Sequence, residues 1–482
     1  MRRSLAFVVS IGSLSVATAL AAFACDSSDD QPVSSAPDAE PDEGPTWLGD
    51  AGLLAREPVK RPLHELCGIA SNPGDMPIGQ DARAKALRKG YFDAALDLGG
   101  VMIRRDFRWS ELEPARGSFT FDATDALVDE ANARGVRLLG LLAYGTPWAN
   151  AKTVGGRDTF PPTDPADFAA YARTVAMRYR GKVAAWEIWN EPNNGFRFWE
   201  PSLSGDPAAF AKLLTRAHAA VAEVSPETPV LLGGTVFTPQ LIEGAIPWLE
   251  EAYAASPDLA KSFEIEGIHT YALYPPQRAP ELGEGADPPL EAKIQMHSWL
   301  LAQHGGAGKP MWITELGWPV YGEVDREGQA RLTTRATILA AHAGAGAIFW
   351  YTLRDGPHPE AFPPEDAFGL LGNDEDPDAG REAKPKPVYL ALRSLLHIVG
   401  ERWATTAPAP IAGLPSDGFA VVFHGASGPD VTAVWTVTTP SASITLQHAG
   451  SVLDQYGAAR GSVAAGGAIA ISPAVTYVLA AP

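Results

Sequence analysis

The chain has 482 residues, 46% of them hydrophobic, and its 38 basic and 57 acidic side chains give a net charge of −19. This composition is globular and excludes a fibre, and the length accommodates two or three domains or one large barrel with an appendage. The acidic excess argues against nucleic acid as a partner, and two cysteines are too few for a disulfide scaffold or a four-thiolate zinc site.

The first 24 residues have the pattern of a secretory signal peptide. Arg2 and Arg3 precede an uncharged, largely apolar run from Leu5 to Ala24, which is somewhat polar for a permanent membrane span. The sequence Ala22-Phe23-Ala24-Cys25 resembles the cleavage box of bacterial lipoproteins, in which the cysteine carries the lipid. We therefore expect export, either as a cell-envelope lipoprotein anchored through Cys25 or as a secreted protein after ordinary signal cleavage.

Residues 25–60 are predicted to form a disordered tether behind this signal. The stretch from Asp26 to Pro45 is rich in Asp, Ser, Pro and Glu, and it has too little apolar surface to offset the entropy of ordering. Beyond it, Cys67 has the apolar neighbours Leu66 and Ile69, which predict a buried and unreactive thiol.

From His64 to Thr352, short apolar runs alternate with longer helix-compatible segments, which is the pattern of βα units on a parallel sheet. Residues 61–400 are predicted to form a (β/α)8 TIM barrel, because the number of strands is the eight that this barrel requires. The predicted strands are His64–Ala70, Gly100–Phe107, Val136–Tyr144, Val183–Asn190, Pro229–Gly234, Glu264–Tyr271, Pro310–Glu315 and Gly346–Thr352.

Pro387–Val399 is predicted to be the closing helix, and the residue composition changes after it. Residues 401–482 are nearly uncharged and alternate short apolar strands with Gly, Ser and Thr, which predicts a small C-terminal antiparallel β-sandwich. Its predicted strands are Phe419–Phe423, Val431–Val437, Ser443–Gln447, Ala468–Ser472 and Val475–Leu479. The fold class is therefore α/β, a barrel with a small β domain.

One predicted barrel strand ends in a glutamate, Glu315, and another is followed directly by one, Glu191. Reactive groups in such barrels lie at the C-terminal ends of the strands, and a charged Glu that ends an aromatic and apolar strand is costly unless it is paired or functional. Across the barrel mouth, strands four and seven can bring two side chains together. Position at the strand end favours Glu191 over Glu187. The two segments are Trp186-Glu187-Ile188-Trp189-Asn190-Glu191-Pro192-Asn193 and Trp312-Ile313-Thr314-Glu315-Leu316-Gly317-Trp318-Pro319.

Together these segments resemble the paired signatures of the clan A glycoside hydrolases, particularly the family 39-like β-glycosidases and the related cellulase-like exopolysaccharide hydrolases. The resemblance runs from His64 to Arg393 and is supported by Arg104–Pro114, Gly145–Ala149 and His269–Tyr271, each in the strand position where that group has a comparable segment. It implies a retaining hydrolase with Glu191 as general acid/base and Glu315 as nucleophile.

The chemistry of glycoside hydrolysis assigns different protonation states to the two carboxyl groups. A protonated acid helps the leaving oxygen to depart, and in a retaining site a carboxylate about 5–5.5 Å away traps the oxocarbenium-like centre. We expect Glu315 to stay ionised because Arg104 and Tyr271, which the resemblance places beside it, lower its pKa. We expect aromatic surroundings such as Trp189 to keep Glu191 protonated.

Five further residues are candidates for substrate binding. The resemblance implies that Asn190 binds the sugar hydroxyl next to the reacting carbon, with capping of the strand end as the alternative. Trp148, Trp318 and Trp350 stand at strand ends and are either flat platforms for sugar rings or core residues. His269 either orients hydroxyls or the carboxylates, or is a satisfied core histidine.

The predicted function is that of an exported, retaining hydrolase that cleaves β-glycosidic bonds of poly- or oligosaccharides as a monomer, without a cofactor or metal ion. The alternatives are a catalytically silent carbohydrate-binding envelope lipoprotein and a transglycosylase that uses the same site. The sugar, the linkage and exo or endo action depend on loop shape and are not predicted. The β-sandwich either binds glycan or braces the barrel, and its few aromatic residues favour bracing.

Overall fold

The computed structural model describes residues 52–71, 76–153, 158–237, 244–272, 276–284, 287–361, 364–373, 383–405, 411–426 and 428–481. These residues belong to one structural unit, Pro45–Pro482. The predicted signal peptide, Cys25 and the first part of the predicted tether lie outside the described residues. Within the described ranges, no helix combines the length and the apolar character needed to cross a membrane.

Eight parallel strands close into a barrel in chain order, with β8 paired to β1. This confirms the predicted (β/α)8 architecture. The strands are β1 Cys67–Ala70, β2 Met102–Arg108, β3 Leu138–Ala143, β4 Ala185–Ile188, β5 Val230–Val236, β6 Ile265–His269, β7 Met311–Leu316 and β8 Ala347–Tyr351.

Eleven helices are found in the described part of the chain. Asp164 caps α5, since its side chain accepts a hydrogen bond from the N–H of Ala166 at 2.9 Å and Pro165 occupies the first turn. The helices are α1 Leu63–Leu66, α2 Ala82–Asp97, α3 Trp109–Leu112, α4 Asp122–Ala133, α5 Pro165–Arg178, α6 Gly195–Phe198, α7 Pro207–Val224, α8 Ala245–Ala255, α9 Leu290–Gln303, α10 Arg326–His342 and α11 Pro387–Val399, with 3₁₀ turns at Leu259–Ser262 and Glu365–Ala367.

An apolar plug inside the barrel supports the polar site above it. The plug consists of inward-facing residues near the beginning of most strands, where side chains alternate between the barrel interior and the helices. Two positions further along β2 and β4, the inward side chains become Arg104 and Glu187, so the polar layer begins where the plug ends. The plug residues are Ala70, Met102, Leu139, Ala185, Leu231, Ile265, Ala347 and Phe349.

The C-terminal region forms two antiparallel sheets, as predicted, but with more strands than its apolar pattern indicates. Three strands were not predicted, because β9 has two residues and β14 lies largely exposed, while β13 begins at a glycine, so none carries a clear alternating pattern. A six-stranded sheet and the pair β12–β15 contain β9 Trp403–Ala404, β10 Gly418–His424, β11 Val431–Thr436, β12 Ala442–Thr445, β13 Gly450–Leu453, β14 Ala459–Val463, β15 Ala468–Ile471 and β16 Thr476–Ala480.

The six-stranded sheet packs against the barrel through one face and against the two-stranded sheet through the other. Phe423, Trp435 and Tyr477 belong to the same buried cluster as the barrel helices, whereas Ile444 and Val478 belong to the cluster between the two sheets. These three aromatic side chains are therefore used in packing, which supports bracing of the barrel over glycan binding.

Two predictions near the start of the folded region are wrong. The predicted strand His64–Ala70 begins as the helical turn Leu63–Leu66, and only Cys67–Ala70 pairs with β2 and β8. The predicted tether includes residues 52–60, but these contact the barrel: Arg56 Nη2 donates to the carbonyl of Lys309 at 2.7 Å, and the N–H of Leu54 donates to Gln295 at 3.1 Å. Contacts to backbone carbonyls cannot be predicted from the composition of a segment.

Cys67 is buried, as predicted, and burial raises the pKa of its thiol to about 12.

Candidate active site

Glu191 and Glu315 approach each other over the barrel mouth. Glu191 lies three residues after β4, and Glu315 lies near the end of β7. One carboxylate oxygen of each, together with a ring nitrogen of His269, lies within 4.8 Å of the other two atoms. Glu191 is 6% exposed, and the side chain of Glu315 is 16% exposed. The two segments singled out in the sequence therefore meet in one enclosed site.

The backbone holds Glu191 in an unusual conformation. Its φ of 43° lies in the left-handed region, which costs a non-glycine residue roughly 1–3 kcal/mol and recurs at functional sites. The turn is held because the N–H of Glu191 donates to the carbonyl of Gly234 at 3.0 Å and its carbonyl accepts from the N–H of Asn194 at 2.8 Å. The side-chain amide of Asn194 also donates to Oε2 of Glu191 at 2.8 Å, so Asn194 holds both the backbone turn and the carboxylate.

Arg104 connects three acceptors in the site. Its Nη1 donates to Oε2 of Glu315 at 3.2 Å, its Nη2 to Oδ1 of Asn190 at 2.7 Å and its Nε to Oε2 of Glu187 at 2.6 Å. Burial lowers the pKa of Arg104, but the charges of Glu187 and Glu315 outweigh it and raise the pKa above its usual value. Arg104 is thus a permanent cation beside Glu315. Because the guanidinium has only donors, it also turns the amide oxygen of Asn190 toward itself and its NH2 away.

Tyr271 supplies the second hydrogen bond to Glu315, from its hydroxyl to Oε1 at 2.9 Å. Burial and the neighbouring charge of Glu315 hold the pKa of Tyr271 well above its ordinary value. The hydroxyl therefore keeps its proton and remains a donor. The predicted placement of Arg104 and Tyr271 beside Glu315 agrees with these contacts.

Glu187, the alternative to Glu191, is fully buried and occupied by three donors. Besides Arg104, it accepts from the N–H of Gly234 at 3.0 Å and from the hydroxyl of Thr314 at 2.9 Å. A carboxylate whose oxygens are engaged in this way supports its neighbours and is not available to a substrate.

His269 links this buried layer to Glu191. Its Nδ1 lies 2.8 Å from Oε1 of Glu191, and its Nε2 lies 3.1 Å from the hydroxyl oxygen of Thr314. The imidazole is completely buried. Of the predicted roles, orientation of a carboxylate is the one that these contacts support.

Gly234 leaves the space that this arrangement needs. A Cβ at position 234 would lie 2.3 Å from Nε2 of His269 and 2.7 Å from Oγ1 of Thr314. No side chain fits at these separations, so glycine is required here by close approach and not by its backbone conformation.

The pKa shifts of the two glutamates run opposite to the prediction. For Glu191, burial raises the pKa, but the hydrogen bond and charge of His269 outweigh it and the pKa is lowered. For Glu315, burial and the charge of Glu191 outweigh His269 and Arg104, and the pKa is raised. The prediction was wrong because it considered the aromatic neighbours of Glu191 and missed its contact with His269.

Of the two roles left open for the three tryptophans, sugar platform and core residue, their surroundings support packing. Trp350 is 1% exposed and Trp318 3%, and they pack near each other with ring centroids 6.5 Å apart, so their faces are covered by protein. Trp148 is half-buried, but the guanidinium of Arg116 lies 4.4 Å above its ring. Flat aromatic residues at strand ends were packed into the barrel wall, which the sequence pattern did not distinguish from an exposed position.

Several residues of the site were not predicted. Thr314 precedes Glu315 in its quoted segment and Asn194 directly follows the segment of Glu191, and this nearness in sequence was the available signal. Arg197, in the short helix α6 after β4, pairs with Glu365, in the 3₁₀ turn after β8, at 3.1 Å, and its charge helps to lower the pKa of Glu191. No local pattern distinguishes Arg197 from a surface arginine.

In the described part of the chain, the one group of His, Cys, Asp and Glu side chains with ligand atoms close enough for a metal ion is Glu191, His269 and Glu315. All three already hydrogen-bond within the protein. Protein donors and acceptors therefore account for this arrangement.

Comparison with known proteins agrees with the predicted resemblance. The sequence model of glycosyl hydrolase family 10, a clan A family, matches residues 86–198. An endo-1,4-beta-xylanase 2 of Claviceps purpurea is 33% identical over 99 residues, which cover 20% of this chain and 29% of that protein. An endo-1,4-beta-xylanase of Agaricus bisporus is 27% identical over 125 residues, covering 26% and 37%. The chain thus spans about a third of the length of these curated relatives.

The fold is also found in solved structures. A family 39 glycoside hydrolase from Bacteroides cellulosilyticus WH2 has a TM-score of 0.69 at 20% identity, covering 89% of this chain and 83% of that one. A family 39 beta-xylosidase from Caulobacter crescentus has a TM-score of 0.59 at 17% identity, covering 89% and 98%. The resemblance to clan A, and to family 39 in fold, is confirmed. The matched sequence region contains Glu191 but ends before Glu315.

Proposed function

We propose that this chain, which has the sequence signatures and the barrel fold of the clan A glycoside hydrolases, hydrolyses β-glycosidic bonds with retention of configuration. The observation that carries the proposal is the approach of Glu191 and Glu315, whose nearest oxygens lie within 4.8 Å. This separation suits the spacing of about 5–5.5 Å in retaining sites and is too short for the about 6.5–9.5 Å that an inverting site needs for its water.

The contacts of the two glutamates support different roles. Glu315 accepts from Arg104 and Tyr271, two donors that keep their protons. Glu191 faces His269, a group that can give or take a proton. Glu315 is therefore the nucleophile, and Glu191 the acid and base.

In the first step, Glu315 attacks the anomeric carbon while Glu191 gives its proton to the departing glycosidic oxygen. The result is an ester between Glu315 and the sugar, and an ionised Glu191. In the second step, Glu191 takes a proton from water, and the hydroxide oxygen displaces Glu315 from the anomeric carbon. Arg104 and Tyr271 stabilise the carboxylate of Glu315 before attack and after release.

The hydrogen bonds around His269 decide where the acid proton is kept. The hydroxyl of Thr314 donates to Glu187, so it accepts from His269, and Nε2 of the imidazole must carry a hydrogen. In a neutral imidazole, Nδ1 is then bare and accepts from a protonated Glu191; in a charged one, Nδ1 donates to the carboxylate. Either way, Glu191 and His269 hold one proton between them, which is available to the leaving oxygen.

β-Linked xylose is the first sugar to test, because the matched relatives are named xylanases and a fold neighbour is a beta-xylosidase. We propose β-1,4-xylo-oligosaccharides and aryl β-xylosides as the substrates. We also propose export, which is supported only by the sequence of the first 25 residues. If the wild type incorporates labelled lipid and Cys25→Ser does not, Cys25 carries the lipid anchor. If both proteins are instead released as soluble secreted chains, the proposed anchor is wrong.

The function is tested by comparing Glu191→Ala and Glu315→Ala with Glu227→Ala, an exposed glutamate paired with Arg180. Both site variants should lose hydrolysis, and azide should restore it in Glu191→Ala with a β-glycosyl azide product and in Glu315→Ala with an α product. The wild type should release the β anomer first, as read by NMR. If the wild type binds oligosaccharide without hydrolysing it, the protein is a carbohydrate-binding protein. If it transfers the glycosyl group mainly to another sugar and not to water, it is a transglycosylase.

A further inference from the structure

Lys293 is a buried cation that none of the steps above uses. It lies on α9, is 2% exposed, and its ammonium lies 5.3 Å from the ring centre of Phe237. Lysine is among the residues least often fully buried, because removing its charge from water is expensive. A lysine kept here must therefore do something that an apolar residue in the same helix could not.

The ammonium binds the backbone directly behind the active site. Nζ donates to the carbonyl oxygen of Tyr271 at 2.7 Å and of Thr270 at 3.5 Å, and forms an ion pair with Oδ1 of Asp287 at 2.7 Å. Three acceptors thus match the three hydrogens of the ammonium. Asp287 is held in turn by Nη1 of Arg278 at 2.9 Å.

The segment that Lys293 binds contacts both glutamates. His269, at the end of β6, lies against Glu191, and Tyr271, two residues later, donates to Glu315. A shift of this backbone would change both contacts at once. Small displacements of catalytic groups have large effects on rate, because the reacting atoms must be held close and aligned.

We propose that Lys293 is a positioning residue, which holds the segment His269–Tyr271 in place so that His269 and Tyr271 engage the two glutamates. The proposal rests on the proposed hydrolase function. Lys293 does not touch the reacting atoms and acts through the carbonyls of Thr270 and Tyr271.

The charge of Lys293 makes this positioning sensitive to pH. Burial lowers the pKa of Lys293 to about 8, against the opposing charge of Asp287, while Arg278 on the far side of Asp287 adds to the lowering. Below this value the ammonium keeps all three hydrogens. Above it the amine has two, and the ion pair with Asp287 is lost. Activity should therefore decline on the alkaline side of this pKa.

The test compares Lys293→Met and Lys293→Arg with a matched control, Lys309→Met. Lys309 also donates to a backbone carbonyl, that of Phe263, at 2.7 Å, and its ammonium also lies 5.3 Å from the ring centre of that residue. Phe263 comes just before β6, however, at the opposite end of the strand from the site. Lys293→Met should lower kcat about tenfold or more with little change in KM, and should lose the part of the alkaline decline that follows the pKa of Lys293. Lys293→Arg should retain more activity and move the decline to higher pH.

Thermal unfolding of each variant establishes that it is folded at the assay temperature, and a crystal structure of Lys293→Met gives a readout that needs no activity. The separation of 2.9 Å between the Tyr271 hydroxyl and Glu315 should increase in that variant. Unchanged kcat, pH profile and separation in Lys293→Met would overturn the positioning role alone. Full activity in Glu315→Ala would instead overturn the hydrolase function, and the crystal structure would still decide the positioning of Tyr271.

Discussion

Glu191 and His269 share a hydrogen bond of 2.8 Å between Oε1 and Nδ1, and both side chains are buried. His269 cannot rotate to another partner, because its second nitrogen is held by Thr314 and its ring lies against Gly234. The proton needed by the leaving group is thus kept at a fixed position by two residues, and the properties of this pair should be visible in kinetics.

Replacing His269 by Gln should impair proton donation more than attack by the nucleophile. We expect kcat to fall about a hundredfold on xylobiose, whose leaving group needs the acid, and to fall much less on dinitrophenyl β-xyloside, whose leaving group does not. The measurement is kcat for both substrates. The control is His218→Gln, which removes another histidine–glutamate pair, at 3.0 Å from Glu264 on the surface. An equal loss on both substrates would contradict the assignment.

Replacing Arg104 by Lys should keep the positive charge but lose the arrangement of the three hydrogen bonds that the guanidinium donates. A single ammonium cannot donate along three fixed directions to Glu187, Asn190 and Glu315, so kcat/KM should fall about a hundredfold or more. The measurement is kcat/KM on aryl β-xylosides, with Arg180→Lys, which alters an exposed pair with Glu227, as control. If the Arg104 variant keeps wild-type kcat/KM, the three contacts are not needed for catalysis.

Adding one methyl group at Gly234 should disrupt the buried layer below the glutamates. Gly234→Ala should destabilise the fold by about 1–3 kcal/mol, because the new Cβ displaces His269 and Thr314. It should also lower kcat. Urea unfolding and kinetics measure the two effects. Gly244→Ala is the control, since a Cβ there meets its nearest atom at 4.0 Å. A variant as stable and active as this control would show that the layer tolerates rearrangement.

The brace between the barrel and the six-stranded sheet should contribute to stability and not to catalysis. The buried carboxylate of Glu281 pairs with Arg335 at 2.6 Å and accepts from the indole of Trp435 at 2.7 Å. Glu281→Ala leaves the buried cation of Arg335 without its partner and should cost about 3–5 kcal/mol of unfolding free energy.

Urea unfolding measures this cost, and kcat should stay at the wild-type value in the folded Glu281→Ala protein. Glu223→Ala, which breaks an exposed pair with Arg173, should leave the unfolding free energy close to the wild-type value, because water screens such pairs. If Glu281→Ala is as stable as Glu223→Ala, the contacts of Glu281 with Arg335 and Trp435 do not stabilise the fold.

The barrel and the two glutamates could be predicted because their signals are local. Eight apolar runs separated by helical patterns indicate the strands, and each strand buries its own residues wherever its neighbours lie. Glu191 and Glu315 are conspicuous as charges at the ends of aromatic strands. The C-terminal strands β9 and β14 escaped prediction, because a two-residue strand and an exposed strand carry no alternating pattern.

The electrostatics of the site could not be predicted in the same way. The amino-acid sequence alone determined which residues end the strands, and hence which carboxylates reach the barrel mouth. Only the tertiary structure decided that His269 lowers the pKa of Glu191, that Arg104 also donates to the buried Glu187, and that Lys293 binds the carbonyl of Tyr271. The physical reason is that barrel closure and strand register bring these groups within hydrogen-bonding distance, and their charges are then felt strongly because burial excludes water.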